Sequence, residues 1–320
     1  MKLIIQIPCY NEERYLLDTL KDLPRKVEGF DKVEWLVIDD GSTDNTVKIA
    51  QENGVDYIIK HTQNKGLAEA FLTGLEACLK YGADVIVNTD ADNQYNANDI
   101  PKLVKPILEG KADMVIGSRP IKNIKHFSFF KKILQKFGSG VVRVISGTKV
   151  EDAPSGFRAF SRETAMKLMV YNNYTYTLET IIQAGKNKIK VECVPIRVNE
   201  TFRKSRLVKN IFSYVRKNIF AIIRIFIIYR PFIFFSFIAG AFSLTGLIFI
   251  IRFLFFYFNG KGSGHVQSLI LAGVLVSIGF QTFLFAITAD LLAANRKLLE
   301  DIRYQVKKDI YDKNKNTEKK

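Results

Sequence analysis

Two long apolar segments near the end of the chain constrain its fold more than any other feature of the sequence. They cover residues 231–258 and 266–294 of 320, and they follow a longer stretch in which charged and apolar residues are mixed. A helix that spans a bilayer needs about 20 mainly apolar residues, so each segment is long enough to cross a membrane. The sequence therefore predicts a globular head followed by a hairpin of two membrane-spanning helices.

The formal net charge of +15 predicts attraction to a lipid bilayer and not to nucleic acid, because many of the basic residues flank the apolar segments. Before the first segment come Arg206, Lys209, Arg216, Lys217, Arg224 and Arg230, and after the second come Arg296, Lys297, Arg303, Lys307 and Lys308. The basic residues of the loop between them are Lys261 and His265. Because Lys and Arg favour the cytoplasmic side of a membrane, we expect the head and both termini to be cytoplasmic.

Short apolar runs alternate with amphipathic stretches from Lys2 to about Gly117. This alternation is typical of an α/β domain in which helices join the strands of a mainly parallel sheet. The predicted strands are residues 3–7, 35–38, 57–59, 85–87 and 114–116, and the predicted helices are residues 14–23, 44–52, 67–80 and 100–109. Farther along the chain we predict a helix near 130–145, a loop at 152–158 and a strand near 190–198.

Polar residues follow these predicted strands where each strand ends. They are Tyr10, Asn11 and Glu12, then Asp39 and Asp40, then Asp90 and Asp92, then Ser118 and Arg119. Ligands of open α/β sheets bind beyond the carboxyl ends of the strands. The two carboxylates of Asp90 and Asp92 suit Mg²⁺ or Mn²⁺ bridging a diphosphate. Taken alone, such a pair is a weak signal, and a helix cap or a surface loop is the better interpretation.

Four ordered sequence blocks strengthen that interpretation. They are Pro8-Cys9-Tyr10-Asn11-Glu12-Glu13, Asp39-Asp40-Gly41-Ser42-Thr43-Asp44, Asn64-Lys65-Gly66 and Asp90-Ala91-Asp92-Asn93-Gln94. Together they resemble the family 2 glycosyltransferases of the GT-A fold, a Rossmann-like α/β architecture, over about Leu3 to Val198. With the apolar hairpin, the chain is most similar to the polyprenyl-phosphate glycosyltransferases, which include dolichol-phosphate mannose synthases and undecaprenyl-phosphate glucosyltransferases.

The resemblance implies a set of site residues. The nucleotide sugar would contact Pro8, Tyr10, Asn11, Glu12, Asp39, Asp40, Lys65 and Asp90, and the metal would be held by Asp90, Asp92 and Gln94. Catalytic roles fall to Asp152, Asp92 and Arg119, and the acceptor phosphate would meet Arg119, Arg158, Arg203 and Arg206. For Lys65 a solvated loop charge, and for Arg203 and Arg206 simple attraction to the membrane, are equally good interpretations.

The implied activity is metal-dependent transfer of one sugar, with inversion, from a nucleotide diphosphate sugar to undecaprenyl or dolichyl phosphate. The chain lacks the Gln-x-x-Arg-Trp signature of the processive synthases, which favours a single transfer. The alternative acceptor is a hydroxyl of a glycolipid or polysaccharide, for which Asp152 would act as general base. With a phosphate acceptor, Asp152 would instead orient groups or tune the arginines. A non-catalytic assembly partner that keeps the fold is a third reading, and the presence of Asp90, Asp92 and Arg119 argues against it.

These inferences give a domain plan for a multi-pass membrane protein with two spans. The catalytic GT-A domain covers residues 1–204, and an amphipathic juxtamembrane helix covers 205–230. The two transmembrane helices lie within 231–295, and a charged cytoplasmic tail covers 296–320, of which residues 307–320 are expected to be mobile. A homo-oligomer is compatible with so small a membrane part, but no motif argues for one.

Overall fold

The computed structural model describes residues 1–120, 129–171, 176–199, 220, 223–224, 226–260 and 262–317. The chain divides into two compact units. The first comprises Met1–Leu207 together with Arg303–Lys320, and the second is Val208–Ile302.

One sheet of seven strands forms the centre of the first unit within the described residues. The strands are β1 (Lys2–Cys9), β2 (Lys32–Asp39), β3 (Tyr57–Lys60), β4 (Val85–Asn88), β5 (Met114–Ser118), β6 (Arg158–Ser161) and β7 (Val191–Pro195). Their order across the sheet is β3-β2-β1-β4-β6-β5-β7, and β6 runs antiparallel to both of its neighbours. The predicted mainly parallel α/β head is therefore confirmed, with one strand reversed.

Strands β1 and β2 are interior strands of the sheet, and both are almost fully buried. Every residue of β1 after Lys2 is buried, and every residue of β2 after Lys32 is buried. Strands that are covered on both faces read as continuous apolar runs, as these do. The parallel register pairs Cys9 with Asp39, so β1 and β2 end side by side and their following loops share one edge of the sheet.

Seven helices accompany the sheet among the described residues of this unit. They are α1 (Leu16–Asp22), α2 (Thr46–Glu52), α3 (Leu67–Lys80), α4 (Ile100–Leu108), α5 (Phe129–Ser146), α6 (Arg162–Lys167) and α7 (Thr177–Lys186). Helix α3 begins and ends at the predicted residues, whereas α1 and α2 each begin two residues later than the pattern indicated. For α2 the reason is local, because the Asp44 carboxylate accepts a hydrogen bond from the Thr46 amide and holds the entry in a turn.

Strand β6 was missed by the sequence analysis, which placed a loop at residues 152–158. The loop ends at Arg158, where β6 begins, and the register pairs Arg158 with Asn88 of β4 and with Ile116 of β5. Four residues are too few for a period of two to stand out in the sequence. The consequence is topological, because β6 brings the loop before it to the ends of β4 and β5.

The second unit contains two long helices that are apolar enough to cross a membrane. Helix α8 is Pro231–Phe258, as predicted, and α9 is Val266–Thr317, which continues well beyond the predicted end at 294. Small residues let the two helices approach closely. A Cβ at Gly246 would lie 2.8 Å from Val276 Cγ2 and 3.1 Å from the Ala272 carbonyl oxygen.

The end of α9 packs on the head, so the prediction of a mobile tail is wrong as far as Tyr311. Lys307 Nζ donates to Glu76 Oε1 at 2.9 Å, and Arg303 Nη2 donates to the same oxygen at 3.0 Å. Arg162 Nη2 donates to the Tyr311 carbonyl at 3.0 Å. Most of the predicted juxtamembrane helix at 205–230 lies outside the described residues, so that element stays a prediction.

Candidate active site

The loop that follows β1 is fastened to the loop that follows β2 by side-chain hydrogen bonds. Asn11, in the left-handed region at φ 53°, receives the Thr43 amide on Oδ1 at 2.8 Å and donates its own amide to Ser42 Oγ at 2.9 Å. The Glu12 amide donates to Thr46 Oγ1 at 2.8 Å. These bonds hold Asn11 and Glu12 between the ends of β1 and β2, and their nucleotide contacts stay a prediction.

Asp39 presents a buried carboxylate oxygen at this floor. Its side chain is 0% exposed, and Oδ1 accepts the Ser42 amide at 3.1 Å. Within the part of the chain that the structure describes, Oδ2 has no hydrogen-bond partner. A buried acceptor without a partner costs about 1–3 kcal/mol, so a ligand N–H at Oδ2 would recover that cost. Tyr10, which is 42% exposed, lies one residue beyond the neighbouring strand.

Asp40 differs from Asp39 in that its carboxylate is used inside the protein. Oδ1 is 2.7 Å from His61 Nδ1 and accepts the Lys65 amide at 2.9 Å, while Oδ2 accepts the Gly66 amide at 2.8 Å. Asp40 therefore holds the loop before α3, and its nucleotide contact stays a prediction. Lys65 is fixed through its backbone and its side chain is exposed, which agrees with either of its two interpretations.

The predicted metal ligands lie in the loop after β4. The Gln94 amide donates to Asp92 Oδ1 at 3.2 Å, which folds the loop back on itself. The Asp90 carboxylate lies against Gly156, where an added Cβ would stand 2.9 Å from Oδ1 and 3.2 Å from Oδ2. The described residues contain no cluster of three or more His, Cys, Asp or Glu side chains that could hold a metal ion. Any cation at Asp90 and Asp92 would thus need further oxygen ligands from a bound substrate or from water.

Tyr95 and Gly156 connect this loop to the loop before β6. The Gly156 amide donates to the Tyr95 hydroxyl at 3.0 Å, and Asn88 Nδ2 donates both to the Gly156 carbonyl and to the Tyr176 hydroxyl at 2.9 Å. Burial raises the pKa of Tyr95 and of Tyr176, and the nearby Asp90 charge raises both further. Both phenols therefore stay protonated at neutral pH.

Sequence reasoning missed this supporting group of Asn88, Tyr95, Gly156 and Tyr176. One signal was present, because Asn88 is a fully buried amide that ends an otherwise apolar strand. A buried amide requires partners, and its place at the ligand edge indicates where those partners lie.

Arg119 and Asp152 form a buried, bidentate ion pair. Arg119 Nε donates to Asp152 Oδ2 at 2.7 Å and Nη2 donates to Oδ1 at 3.0 Å, while the Asp152 side chain is 0% exposed. Burial alone would lower the pKa of the Arg119 guanidinium, but the surrounding charges and the Asp152 hydrogen bond raise it, so the group stays cationic. The charges of Asp90, Arg119 and Asp152 all act on Tyr95, so the pair lies near residues 90–96, the predicted metal loop.

Arg158 does not have the role that the resemblance implied. It is 0% exposed. Nε donates to the Ser155 carbonyl at 2.7 Å, Nη2 to the Ala153 carbonyl at 2.8 Å, and Nη1 to the Thr177 carbonyl at 3.0 Å and Thr180 Oγ1 at 2.8 Å. The guanidinium thus shapes the 152–158 loop from below, and the prediction of an acceptor-phosphate contact is wrong. Arg203 and Arg206 lie outside the described residues, and their predicted roles stay predictions.

The sequence of the head is similar to those of known proteins. The family described as Glycosyl transferase family 2 matches residues 4–169. The chain is 36% identical over 214 residues to a UDP-N-acetylglucosamine–dolichyl-phosphate N-acetylglucosaminyltransferase of Methanococcus voltae, covering 60% of this chain and 83% of the relative. It is 33% identical over 226 residues to a dolichol-phosphate mannosyltransferase of Pyrococcus furiosus, covering 68% of this chain and 62% of the relative.

A solved structure shares the fold of the head. Glucosyl-3-phosphoglycerate synthase of Mycobacterium tuberculosis, in complex with Mn²⁺, UDP and glucosyl-3-phosphoglycerate, superimposes with a TM-score of 0.54 at 21% identity. The match covers 69% of this chain and 78% of that chain. At this identity the likeness concerns the fold alone.

Proposed function

The chain belongs to glycosyl transferase family 2 and is a glycosyltransferase of the GT-A fold, and from this premise we propose that it transfers a single sugar from a nucleotide diphosphate sugar to a polyprenyl phosphate at a membrane surface. Both relatives described above are named for transfer to a dolichyl phosphate. The two apolar helices α8 and α9 would place the head where such a lipid resides.

The donor site rests on Asp39 and on the loops that surround it. The unpaired, buried Oδ2 of Asp39 suits an N–H group of a nucleobase, because a charged acceptor makes a strong hydrogen bond in a site from which water is excluded. The bonded loops after β1 and β2 would hold Tyr10 and Pro8 beside the base. The sugar diphosphate would then extend toward Asp90 at the end of β4, across the shared sheet edge.

The residues at the end of β4 fit a divalent cation by their chemistry. Asp90 and Asp92 offer hard carboxylate oxygens, and Mg²⁺ and Mn²⁺ take few protein carboxylates and complete their shell with phosphate oxygens and water. A metal held there would neutralise charge that develops on the leaving diphosphate. Gln94 is the third predicted ligand, and its backbone N–H donates a hydrogen bond to the Asp92 carboxylate.

The single observation that favours a phosphate acceptor is the state of Asp152. Its carboxylate is buried and both oxygens are bonded to Arg119, so it is poorly suited to remove a proton from a hydroxyl. A phosphate monoester has a second pKa of about 6 and is largely ionised at neutral pH, so it needs no base. Asp152 would orient Arg119, and Arg119 would meet the acceptor or donor phosphate.

In the proposed reaction an oxygen of the lipid phosphate attacks the anomeric carbon. The bond from that carbon to the diphosphate breaks, and the electron pair leaves with the nucleoside diphosphate. In-line attack from the opposite face would invert the configuration at the anomeric carbon, as the family resemblance implies. The water-poor edge around Tyr95 and Gly156 would limit hydrolysis of the donor.

The test is transfer of radiolabel from a panel of UDP- and GDP-sugars into organic-extractable lipid. Full-length protein, a polyprenyl phosphate and Mn²⁺ or Mg²⁺ are used, with Asp92→Ala as control. We expect labelled lipid that releases its sugar in mild acid, and none with Asp92→Ala. Absence of labelled lipid across the panel would refute the proposal.

A second variant separates the two acceptors. If the acceptor were a hydroxyl and Asp152 its base, Asp152→Asn would lose nearly all turnover while Arg119→Gln, which keeps the Asp152 carboxylate, would retain more. If the acceptor is a phosphate, we expect the Arg119 variant to be at least as impaired as the Asp152 variant. Both proteins should be checked for folding, because removing one partner of a buried ion pair is strongly destabilising.

A further inference from the structure

The loop that carries the predicted metal ligands is bound along its length by the segment that follows β7. The backbone N–H of Asn199 donates to the Gln94 carbonyl at 2.9 Å, and the backbone N–H of Asn96 donates to the Arg197 carbonyl at 3.3 Å. Tyr95 and Val198 form an antiparallel bridge between these bonds. The segment is therefore joined to the loop by one isolated β-bridge.

The Asn199 side chain uses both ends of its amide on that loop. Nδ2 donates to the Asn93 carbonyl at 3.0 Å and lies 3.2 Å from Asn93 Oδ1, and Oδ1 accepts from Asn96 Nδ2 at 3.2 Å. A carboxylate in the same place would keep the acceptor and lose the donor. The identity of residue 199 as asparagine is thus matched to its surroundings.

Asn93 is the residue whose conformation needs this support. It has φ 51°, in the left-handed region that non-glycine residues adopt at a cost. It stands between Asp92 and Gln94, so its backbone angles set the directions in which both side chains leave the loop. A second bond, from Asn93 Nδ2 to Asp22 Oδ2 at 2.8 Å, fixes the same residue from the side of α1.

The bridging segment is itself anchored at its start. Arg197 donates its amide to Asp99 Oδ2 at 2.6 Å and its Nη2 to Oδ1 at 2.9 Å, and the Asp99 side chain is 0% exposed. The Arg197 side chain is 57% exposed, so the buried carboxylate and the backbone bond supply most of the constraint. The bonds between Arg197 and Asp99 therefore hold the backbone that carries Asn199 in place beside the predicted metal loop.

We propose that Asn199 is a positioning residue for the donor diphosphate and its divalent cation, acting by holding Asn93 in its left-handed conformation. This role deepens the proposed function and rests on it, since it concerns the same metal loop. In this role Asn199 acts through its neutral side-chain amide and does not need to contact the substrate.

The test uses the full-length protein in detergent, with Mn²⁺ and UDP or GDP as probes in a calorimetric titration. Asn199→Ala removes both side-chain bonds, and Asn199→Asp removes the donor alone. The matched control is Asn53→Ala, which deletes an asparagine bond of the same kind, from Nδ2 to the Ile49 carbonyl at 2.7 Å, at the end of α2.

We expect both Asn199 variants to weaken Mn²⁺-dependent nucleotide binding by about 10–100-fold, the range for outer-shell partners of metal ligands. Binding of the nucleotide without metal, and the melting temperature, should change little. The double variant Asn93→Ala with Asn199→Ala should bind nucleotide with Mn²⁺ as well as the more weakly binding of the two single variants. Both substitutions remove the same interaction between Asn93 and Asn199, so their effects should not add.

Hydrogen exchange supplies a readout that does not involve the metal. In metal-free protein, Asn199→Ala should raise exchange in peptides covering residues 90–96 and leave those covering β1 unchanged. Wild-type affinity for Mn²⁺ and nucleotide in Asn199→Ala, or additive losses in the double variant, would overturn the positioning role. Failure of the wild-type chain to bind any nucleotide with metal would instead overturn the proposed function.

Discussion

Substitution of Gly156 by alanine should separate catalysis from folding in this protein. The φ of Gly156 is not positive, so an alanine there adds no left-handed backbone strain. The added Cβ would stand 2.9 Å from Asp90 Oδ1, 3.2 Å from Oδ2 and 3.1 Å from the Tyr176 hydroxyl oxygen. Something must move, and the nearest atom is a carboxylate oxygen at the end of the Asp90 side chain.

The geometry decides the magnitude of each effect. Overpacking of a rigid core costs about 1–3 kcal/mol, but rotation of a half-buried carboxylate relieves this contact at less than that. The same rotation turns a predicted metal ligand away from its position. A misplacement of about 1 Å costs on the order of 100-fold in rate, so we expect activity to fall by about 100-fold with a loss of stability below about 1 kcal/mol.

The assay is sugar transfer at increasing Mn²⁺, alongside thermal unfolding of the same preparation. Gly138→Ala is the matched control, because a Cβ at that position meets nothing within 4 Å. We expect the Gly156→Ala protein to require more Mn²⁺ and to reach a lower maximal rate, while Gly138→Ala behaves as wild type. Full activity in Gly156→Ala, or a collapse of stability that accounts for the lost activity, would refute the reasoning.

Three further predictions test other parts of the molecule. Asp39→Asn keeps an acceptor for the Ser42 amide and places an N–H donor where the unpaired oxygen of Asp39 stands. Nucleotide affinity measured by calorimetry should fall roughly 10–100-fold, because a hydrogen bond to a charged group, which contributes about 1.5–3 kcal/mol, is lost. The melting temperature should be unchanged. Burial alone would raise the pKa of Glu76, but Lys307 and Arg303 lower it overall. The stability that this contact contributes is therefore present above the unfolded pKa of about 4.3 and is lost as the pH falls through the folded pKa. The melting temperatures of wild type and Glu76→Gln should differ at neutral pH and converge in acid, and a constant difference would contradict the assignment. Gly246→Leu, in contact with Val276 and Ala272, should separate α8 from α9 and raise the exchange or cross-linking accessibility of Ala272, whereas Gly240→Leu, where a Cβ meets nothing within 4 Å, should not.

Much of the fold was predictable because the sequence records burial directly. Strands β1 and β2 are covered on both faces and therefore appear as unbroken apolar runs, and α3 shows the period of a helix that buries one face. The reversed strand β6 was not predictable in the same way. It is four residues long, and its direction depends on which strands it meets.

The candidate site was predictable in part, because short motifs mark where polar groups leave the strand ends. Asp39, Asp90 and Asp92 lie at the edge where the motifs placed them, and Asp152 does lie beside an arginine. The roles of neighbouring groups were not predictable. Asp39 and Asp40 are adjacent in sequence, yet one carboxylate has an unpaired buried oxygen and the other is used by His61, Lys65 and Gly66.

The sequence by itself determined a mainly parallel α/β head, a metal-type carboxylate pair at its ligand edge and two helices long enough for a membrane. Only the tertiary structure decided that Arg158 is buried while Arg119 holds Asp152, that Asn199 supports Asn93, and that the end of α9 returns to Glu76. The physical reason is range. Periodicity and turn motifs depend on residues a few positions apart, whereas these contacts join residues between 19 and 231 positions apart and leave no pattern in the chain.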